Sequence, residues 1–123
     1  MRRSTVLIVE GDADVRRRYR VAFRFAGFEV RESRDGLSAL QELEHPPLPD
    51  CIVLDLMLPV MSGHEVKQEL AASADRRHIP VVILTGSQEP VGHLDPACVL
   101  RTPVSGDNVV AAVERCLERR ASR

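Results

Sequence analysis

The sequence predicts an α/β fold, a three-layer α/β/α sandwich in which helices cover both faces of a five-stranded parallel sheet. Two observations carry this prediction. Short apolar runs typical of buried strands alternate five times with segments of helical periodicity along the 123 residues. Gly, Pro and Asp residues mark the boundaries between these segments. Strands and helices that alternate in this way form parallel sheets through right-handed crossovers.

Four of the predicted strands are runs of apolar or β-branched residues that a turn signal ends, and the second, at residues 28–33, is short and more polar. The strands are predicted at residues 5–9, 28–33, 51–54, 81–84 and 98–100. The first helix has Asp12 as its predicted N-cap and Gly27 as its C′ residue. Its apolar stripe, at helical spacing, comprises Val15, Tyr19, Ala22, Phe23 and Ala26. The rest of that helix is rich in Arg, which favours a solvated face over a docking surface.

The segment between the fourth and fifth strands is hostile to helix. Pro90, Gly92 and Pro96 all fall within it, and a Pro in a helix interior costs about 3 kcal/mol. We therefore expect no more than a turn or two of helix between residues 86 and 97.

Composition excludes several classes of protein. The net charge of −1 gives no reason to expect a nucleic-acid partner, and no apolar run approaches the length of a membrane span. Three widely separated cysteines are typical of small core residues in a reducing cytosol, and the four histidines lack metal-ligand spacing. We expect one cytoplasmic domain over residues 1–123, with its core at about 4–118 and a basic tail at 119–123.

Polar residues stand at the carboxyl ends of three predicted strands. Glu10, Asp55 and Thr85 follow the first, third and fourth strands, and parallel sheets build their sites at this edge. Two carboxylates and a hydroxyl that meet there suit a hard cation such as Mg²⁺. A carboxylate beside that ion can attack a phosphoryl group, and Thr85 can bond a phosphoryl oxygen. The alternative for Asp55 alone is that it merely caps a turn.

Three motifs extend this interpretation to a family. The runs V-L-I-V-E-G-D at 6–12, V-L-D-L-M-L-P-V-M-S-G at 53–63 and V-V-I-L-T-G at 81–86, with a Pro after the fifth strand, resemble the receiver (CheY-like) domain of bacterial two-component response regulators. The resemblance covers nearly the whole chain and implies a flavodoxin-like fold with strand order 2-1-3-4-5. It further implies Asp55 as phosphoacceptor, Thr85 as switch residue and the Met57 carbonyl as Mg²⁺ ligand. By the same likeness the Thr102-Pro103 peptide bond would be cis.

The chain also departs from the family pattern, as an atypical or degenerate member would. Gly11 stands where receivers carry a second acid that ligates Mg²⁺, so we expect weak Mg²⁺ binding, with Asp12 as a candidate replacement ligand. Thr102 replaces the usual Lys, and Val99 replaces an aromatic switch residue. The segment before Pro103 is short, so the fourth helix of the family is expected to be short or missing.

Two functional interpretations remain. One is a phosphorylated receiver whose Mg²⁺ and switch site is impaired, served by a sensor histidine kinase or phosphotransfer protein and acting on a downstream protein or effector domain. The alternative is a phosphorylation-independent pseudo-receiver that acts as a protein–protein interaction module, and homodimerisation is left open in either case. We expect no enzyme activity beyond Mg²⁺-assisted self-phosphorylation at Asp55. A phosphatase with Asp55 as its nucleophile would require a second Asp two residues later, where Met57 stands.

Overall fold

The chain forms a five-stranded parallel sheet with helices on both faces. A computed structural model describes residues 3–86 and 98–121. The strands are β1 (Thr5–Val9), β2 (Glu29–Ser33), β3 (Cys51–Asp55), β4 (Val81–Thr85) and β5 (Val99–Arg101). Their order across the sheet is β2-β1-β3-β4-β5, and every neighbouring pair is parallel. The predicted three-layer fold and its strand order are confirmed.

The sheet separates two hydrophobic cores. The described helices are α1 (Ala13–Phe25), α2 (Gly36–Glu42), α3 (Gly63–Ala72) and α4 (Gly106–Ala121). Alternate residues of a strand point to opposite faces, so Val6 and Ile8 of β1 pack with α1 and α4. Leu7 and Val9 pack with α2 and α3 on the other face. The strands β1, β3 and β4 are buried on both faces, which is why they read as continuous apolar runs.

Two predictions concern the ends of the described ranges. The short or missing fourth helix falls on residues 87–97, which lie outside the described residues, so it stays a prediction. The helix α4 continues through Ala121, so residues 119–121 of the predicted basic tail are helical. In the part of the chain that the structure describes, no helix combines the length and apolar character needed to cross a bilayer.

The helix α1 begins and ends at the residues that its sequence predicts. The Asp12 carboxylate caps it by accepting hydrogen bonds from the main-chain N–H groups of Asp14 and Val15, at 2.9 and 3.0 Å. Gly27 follows the helix with φ +92°, a conformation that residues with a Cβ rarely adopt. These two ends fix α1 directly after β1, which places the start of the helix beside the carboxyl edge of the sheet.

Part of the basic face of α1 pairs with the neighbouring strand. Arg16 and Arg20 both reach Glu32 of β2, with N–O distances of 3.4 and 3.0 Å. Arg16 also donates a 2.8 Å hydrogen bond to the main-chain carbonyl of Glu10. The two ion pairs hold α1 against β2, and the hydrogen bond to Glu10 stabilises the turn after β1.

Candidate functional site

The ends of β1, β3 and β4 lie side by side at the carboxyl edge of the sheet. Val9 pairs with Leu54, and Asp55 pairs with Leu84. This register places Glu10, Asp55 and Thr85, the residues for which the sequence predicts a common site, at the ends of three adjacent strands. Asp55 ends β3, the central strand of the sheet, and lies between the other two.

Asp55 and Glu10 form a closely coupled pair of carboxyl groups. Glu10 is 6% exposed, and Asp55 is half-buried. Burial, followed by the charge of Asp55 and a hydrogen bond to it, raises the pKa of Glu10 from 4.5 to about 7, against a lowering effect of the Asp12 N–H. Burial also raises the pKa of Asp55, while hydrogen bonds from the Met57 N–H and from Glu10 lower it. The hydrogen bond between the two groups raises the pKa of Glu10 and lowers that of Asp55, so Glu10 is the member of the pair that favours the protonated form.

Main-chain groups orient both carboxyl groups. The Met57 N–H donates to Asp55 Oδ1 at 2.9 Å, and the Asp12 N–H donates to Glu10 Oε1 at 3.1 Å. The Met57 side chain is 73% exposed, so this residue takes part at the site through its backbone. The loop after β3 and the turn after β1 thus hold the two carboxyl groups in place.

A cleft of about 350 Å³ opens above this pair. Its walls come from the turn after β1, from α1 and from the segment after β5, and include Glu10, Asp12, Val15, Arg18, Tyr19, Asp55 and residues 102–106. Three of these side chains are carboxylic acids and one is a guanidinium. The cleft can therefore accept a small anion beside Asp55 only if positive charge is supplied, by Arg18 or by a cation.

Arg18 and Tyr19 are the cleft residues that the sequence interpretation missed. It assigned Tyr19 to the core and Arg18 to the solvated face of α1. Burial, and then the charges of Glu10 and Asp55, raise the pKa of the Tyr19 phenol. Tyr19 therefore lies close to the acid pair. Helical spacing contains a signal for Arg18, because it follows Val15 by three positions and lies at the edge of the apolar stripe.

The threonines and Val99 occupy different surroundings. Thr85 is 1% exposed at the end of β4, so its side chain is covered. Its main-chain carbonyl accepts a 2.9 Å hydrogen bond from the N–H of Thr102, which lines the cleft. Val99 packs against the core on the α2–α3 face of the sheet. The peptide bond between Thr102 and Pro103 is cis, as the family resemblance implies.

Gly11 leaves room for a side chain beside the acid pair. A Cβ at this position would contact Pro59 Cδ at 3.4 Å and the Arg34 carbonyl at 3.5 Å, which are ordinary van der Waals distances. Its backbone lies outside the left-handed region, in contrast to Gly27. Among residues 3–86 and 98–121, no group of three or more His, Cys, Asp or Glu side chains is arranged to hold a metal ion. A side chain at position 11 would therefore meet no steric obstacle beside the acid pair.

Sequence comparison identifies the family of this fold and site. A sequence model described as the response regulator receiver domain matches residues 6–94. The chain belongs to the response regulator receiver domains. Receiver domains are signalling modules of two-component systems, and they interact with histidine kinases and downstream effectors.

Relatives and solved structures agree with this assignment. The receiver is 33% identical over 119 residues to the response regulator MprA of Mycobacterium sp. (strain KMS), covering 93% of this chain and 50% of that protein. It therefore spans about half the length of that curated relative. The bacteriophytochrome response regulator AtBRR has a TM-score of 0.78 at 29% identity, over 93% of this chain and 92% of the other. The Mn²⁺-bound form of response regulator Rcp1 has a TM-score of 0.75 at 28% identity, over 91% and 90%.

Proposed function

We propose that this receiver accepts a phosphoryl group on Asp55 and that its Mg²⁺ site is weak. The observation that carries the proposal is the position of Asp55, half-buried at the end of the central strand and open to the cleft. The Met57 N–H holds Oδ1, which orients the carboxylate towards a donor that enters the cleft. A carboxylate oxygen attacks phosphorus, the bond from phosphorus to the leaving group breaks, and an acyl phosphate forms.

The residues at this edge fit a divalent cation in part. Asp55, Glu10 and the Met57 carbonyl would hold Mg²⁺, and Asp12 is a further candidate. When bound, the ion would screen the repulsion between the Asp55 carboxylate and the incoming phosphoryl anion. Glu10 must release its proton to become an anionic ligand, and Gly11 supplies no ligand, so we propose weak binding. Thr85, next to Asp55, is the proposed switch hydroxyl.

The proposal places the receiver in a phosphorelay. A sensor histidine kinase or a phosphotransfer protein would supply the phosphoryl group, and a downstream protein or effector domain would respond to it. The proposed compartment is the cytoplasm. Because the acyl phosphate forms in the cleft, the segment 102–106, which lines that cleft and leads into α4, is one part of the described chain that can respond.

Incubation with Mg²⁺ and acetyl phosphate, followed by intact mass measurement, tests Asp55 directly. The wild type should gain the mass of one phosphoryl group, and Asp55→Asn should gain none. Asp14→Asn is the matched control, because Asp14 is exposed in the first turn of α1 and is not among the cleft residues. It should still form the adduct. An undiminished adduct on Asp55→Asn would place the phosphorylation site elsewhere.

The alternative function is a phosphorylation-independent pseudo-receiver that binds a protein partner. The hydrogen bond between Glu10 and Asp55 favours it, because a protonated Glu10 satisfies the acid pair without a metal ion. Thr102, in place of the Lys of the family pattern, also favours it, since the cleft loses a cation. Absence of an adduct on a folded wild-type protein, at any Mg²⁺ concentration, would support this second function.

Arg18 should assist phosphorylation by a small anionic donor. Its guanidinium is the one basic side chain among the described cleft residues, which include three acids. We expect Arg18→Ala to slow adduct formation from acetyl phosphate by about threefold, the size of a partly screened surface interaction. Arg17→Ala is the matched control, since Arg17 is exposed on the same helix and is not among the cleft residues. Equal rates in the two variants would show that Arg18 plays no part.

A further inference from the structure

The structure brings together two cysteines that the sequence separates by 18 positions. Cys98 directly precedes β5, Cys116 lies on α4, and their sulfur atoms are 3.3 Å apart. Neither forms a disulfide bond in the structure. A disulfide bond is about 2 Å long, so the sulfurs need to approach by roughly 1 Å to be bonded. We propose that Cys98 and Cys116 are a reversible thiol pair that a hydroperoxide oxidises to an intramolecular disulfide.

The surroundings of the pair give an oxidant access. Both cysteines line a cavity of about 310 Å³ at the amino end of β4, far along the sheet from Asp55. The basic residues of this cavity are Lys67, Arg77, Arg119 and Arg120. Arg119 Nη2 lies 3.8 Å from the sulfur of Cys98 and 3.9 Å from that of Cys116. Reactive cysteines occupy such electropositive, partly exposed surroundings, because the thiolate is the attacking form.

The third cysteine lacks these properties. Cys51 is 0% exposed within β3, and burial raises the pKa of its thiol. It therefore stays protonated and shielded from an oxidant in solution. Cys98 is partly exposed and Cys116 is buried, which assigns the first attack to Cys98 and the second to Cys116.

The two steps balance with one molecule of peroxide. The Cys98 thiolate attacks one oxygen of hydrogen peroxide, the O–O bond breaks, and hydroxide leaves and takes a proton, which gives a sulfenic acid and water. The Cys116 thiolate then attacks the sulfur of Cys98, the S–O bond breaks, and hydroxide leaves as a second water with the proton of Cys116. The pair loses two protons and two electrons, which together are two hydrogen atoms, and the peroxide is reduced to two molecules of water.

The bridge would join the start of β5 to the C-terminal half of α4. At the other ends of these two elements, Thr102, which directly follows β5, and Gly106, the first residue of α4, line the cleft above Asp55. The disulfide would thus set the spacing between the two elements that form one wall of the cleft. The proposal does not rest on phosphorylation of Asp55, because the cysteines and the cleft are at opposite ends of the strands.

Peroxide treatment of the folded, full chain tests the pair. The wild type should lose about 2 Da and retain one reactive thiol after denaturation, and dithiothreitol should restore all three. Cys51→Ala is the matched control that keeps the pair, so it should lose the same mass and retain no thiol. Cys98→Ser changes a partly exposed residue and should lose no mass by this route. Peptide mapping without reductant should find Cys98 joined to Cys116.

Other outcomes would overturn the assignment. A mass loss of about 2 Da in Cys98→Ser would mean that Cys51 and Cys116 form the bridge. Gain of oxygen atoms in the wild type, without loss of hydrogen, would show that the sulfurs are oxidised singly. Covalent dimers on a non-reducing gel would show that the bridge forms between molecules. Each of these results contradicts an intramolecular pair of Cys98 and Cys116.

Discussion

Without divalent cations, this receiver should lose on the order of 2 kcal/mol of unfolding free energy as the pH rises from about 5 to about 8. The cause is the buried carboxyl pair at the edge of the sheet. Burial is the largest effect that raises the pKa of Glu10 from 4.5 to about 7, and the pKa of Asp55 is raised as well. Ionisation of both groups places two like charges side by side in a partly enclosed site.

The sign of this pH dependence follows because the folded protein binds the Glu10 proton more tightly than the unfolded chain does. Between pH 4.5 and about pH 7 the folded protein keeps the proton of Glu10, whereas the unfolded chain releases it. The unfolded state therefore binds fewer protons in this window, and the free energy of unfolding falls as the pH rises. The favourable contribution of the proton is fully present below pH 4.5 and is lost by about pH 7. The raised pKa of Asp55 acts in the same direction.

Urea unfolding at several pH values, in the presence of EDTA, measures this slope. Glu10→Gln is the matched variant, because Gln has nearly the same shape, cannot ionise and can donate from its amide to the Asp55 carboxylate. Its stability should vary much less over the same pH range. A wild-type protein whose stability stays level or rises from about pH 5 to about pH 8 would contradict a proton on Glu10.

The sequence could predict the fold because local signals agree with the tertiary structure. The apolar runs of β1, β3 and β4 are buried on both faces, so no competing helix pattern obscured them. The ends of α1 were predictable because Asp12 and Gly27 act through their own backbone and side-chain geometry. Strand β5 is short, and its observed bounds differ by one residue from the prediction.

The site was predictable only for residues whose positions are determined by the order of the strands. Glu10 and Asp55 follow neighbouring strands, so the parallel order alone brings them together. Contacts that depend on how a helix rotates against the sheet were not predictable. From the sequence, Arg18 is indistinguishable from the other solvated arginines, and Cys98 and Cys116 look like separate core residues. Only the packing of α1 and α4 against the sheet shows that Arg18 lines the cleft and that the two sulfur atoms are close. The roles of Asp55, Thr85 and the proposed metal ligands remain predictions.

Replacement of Gly11 by Asp should increase the affinity for Mg²⁺ by at least about tenfold, which corresponds to about 1.4 kcal/mol. The new carboxylate would stand beside Glu10 and Asp55, where a divalent ion gains from each added anionic oxygen. The structure gives no steric reason for failure, since the nearest atoms to a Cβ at position 11 are at 3.4 and 3.5 Å. The backbone there does not require Gly either, because its φ lies outside the left-handed region.

Titration of Mg²⁺ into both proteins, followed through the melting temperature, measures this affinity, since an ion that binds only the folded state stabilises it more as its concentration rises above the Kd. Gly11→Asn controls for size, because it adds nearly the same side chain without the charge, and it should gain little affinity. Without the ion, Gly11→Asp should melt below Gly11→Asn at neutral pH, since a third carboxylate then adds its charge to the buried acid pair. If wild type binds Mg²⁺ as tightly as Gly11→Asp, Asp12 or water already supplies the ligand, and the proposal of a weak metal site is wrong.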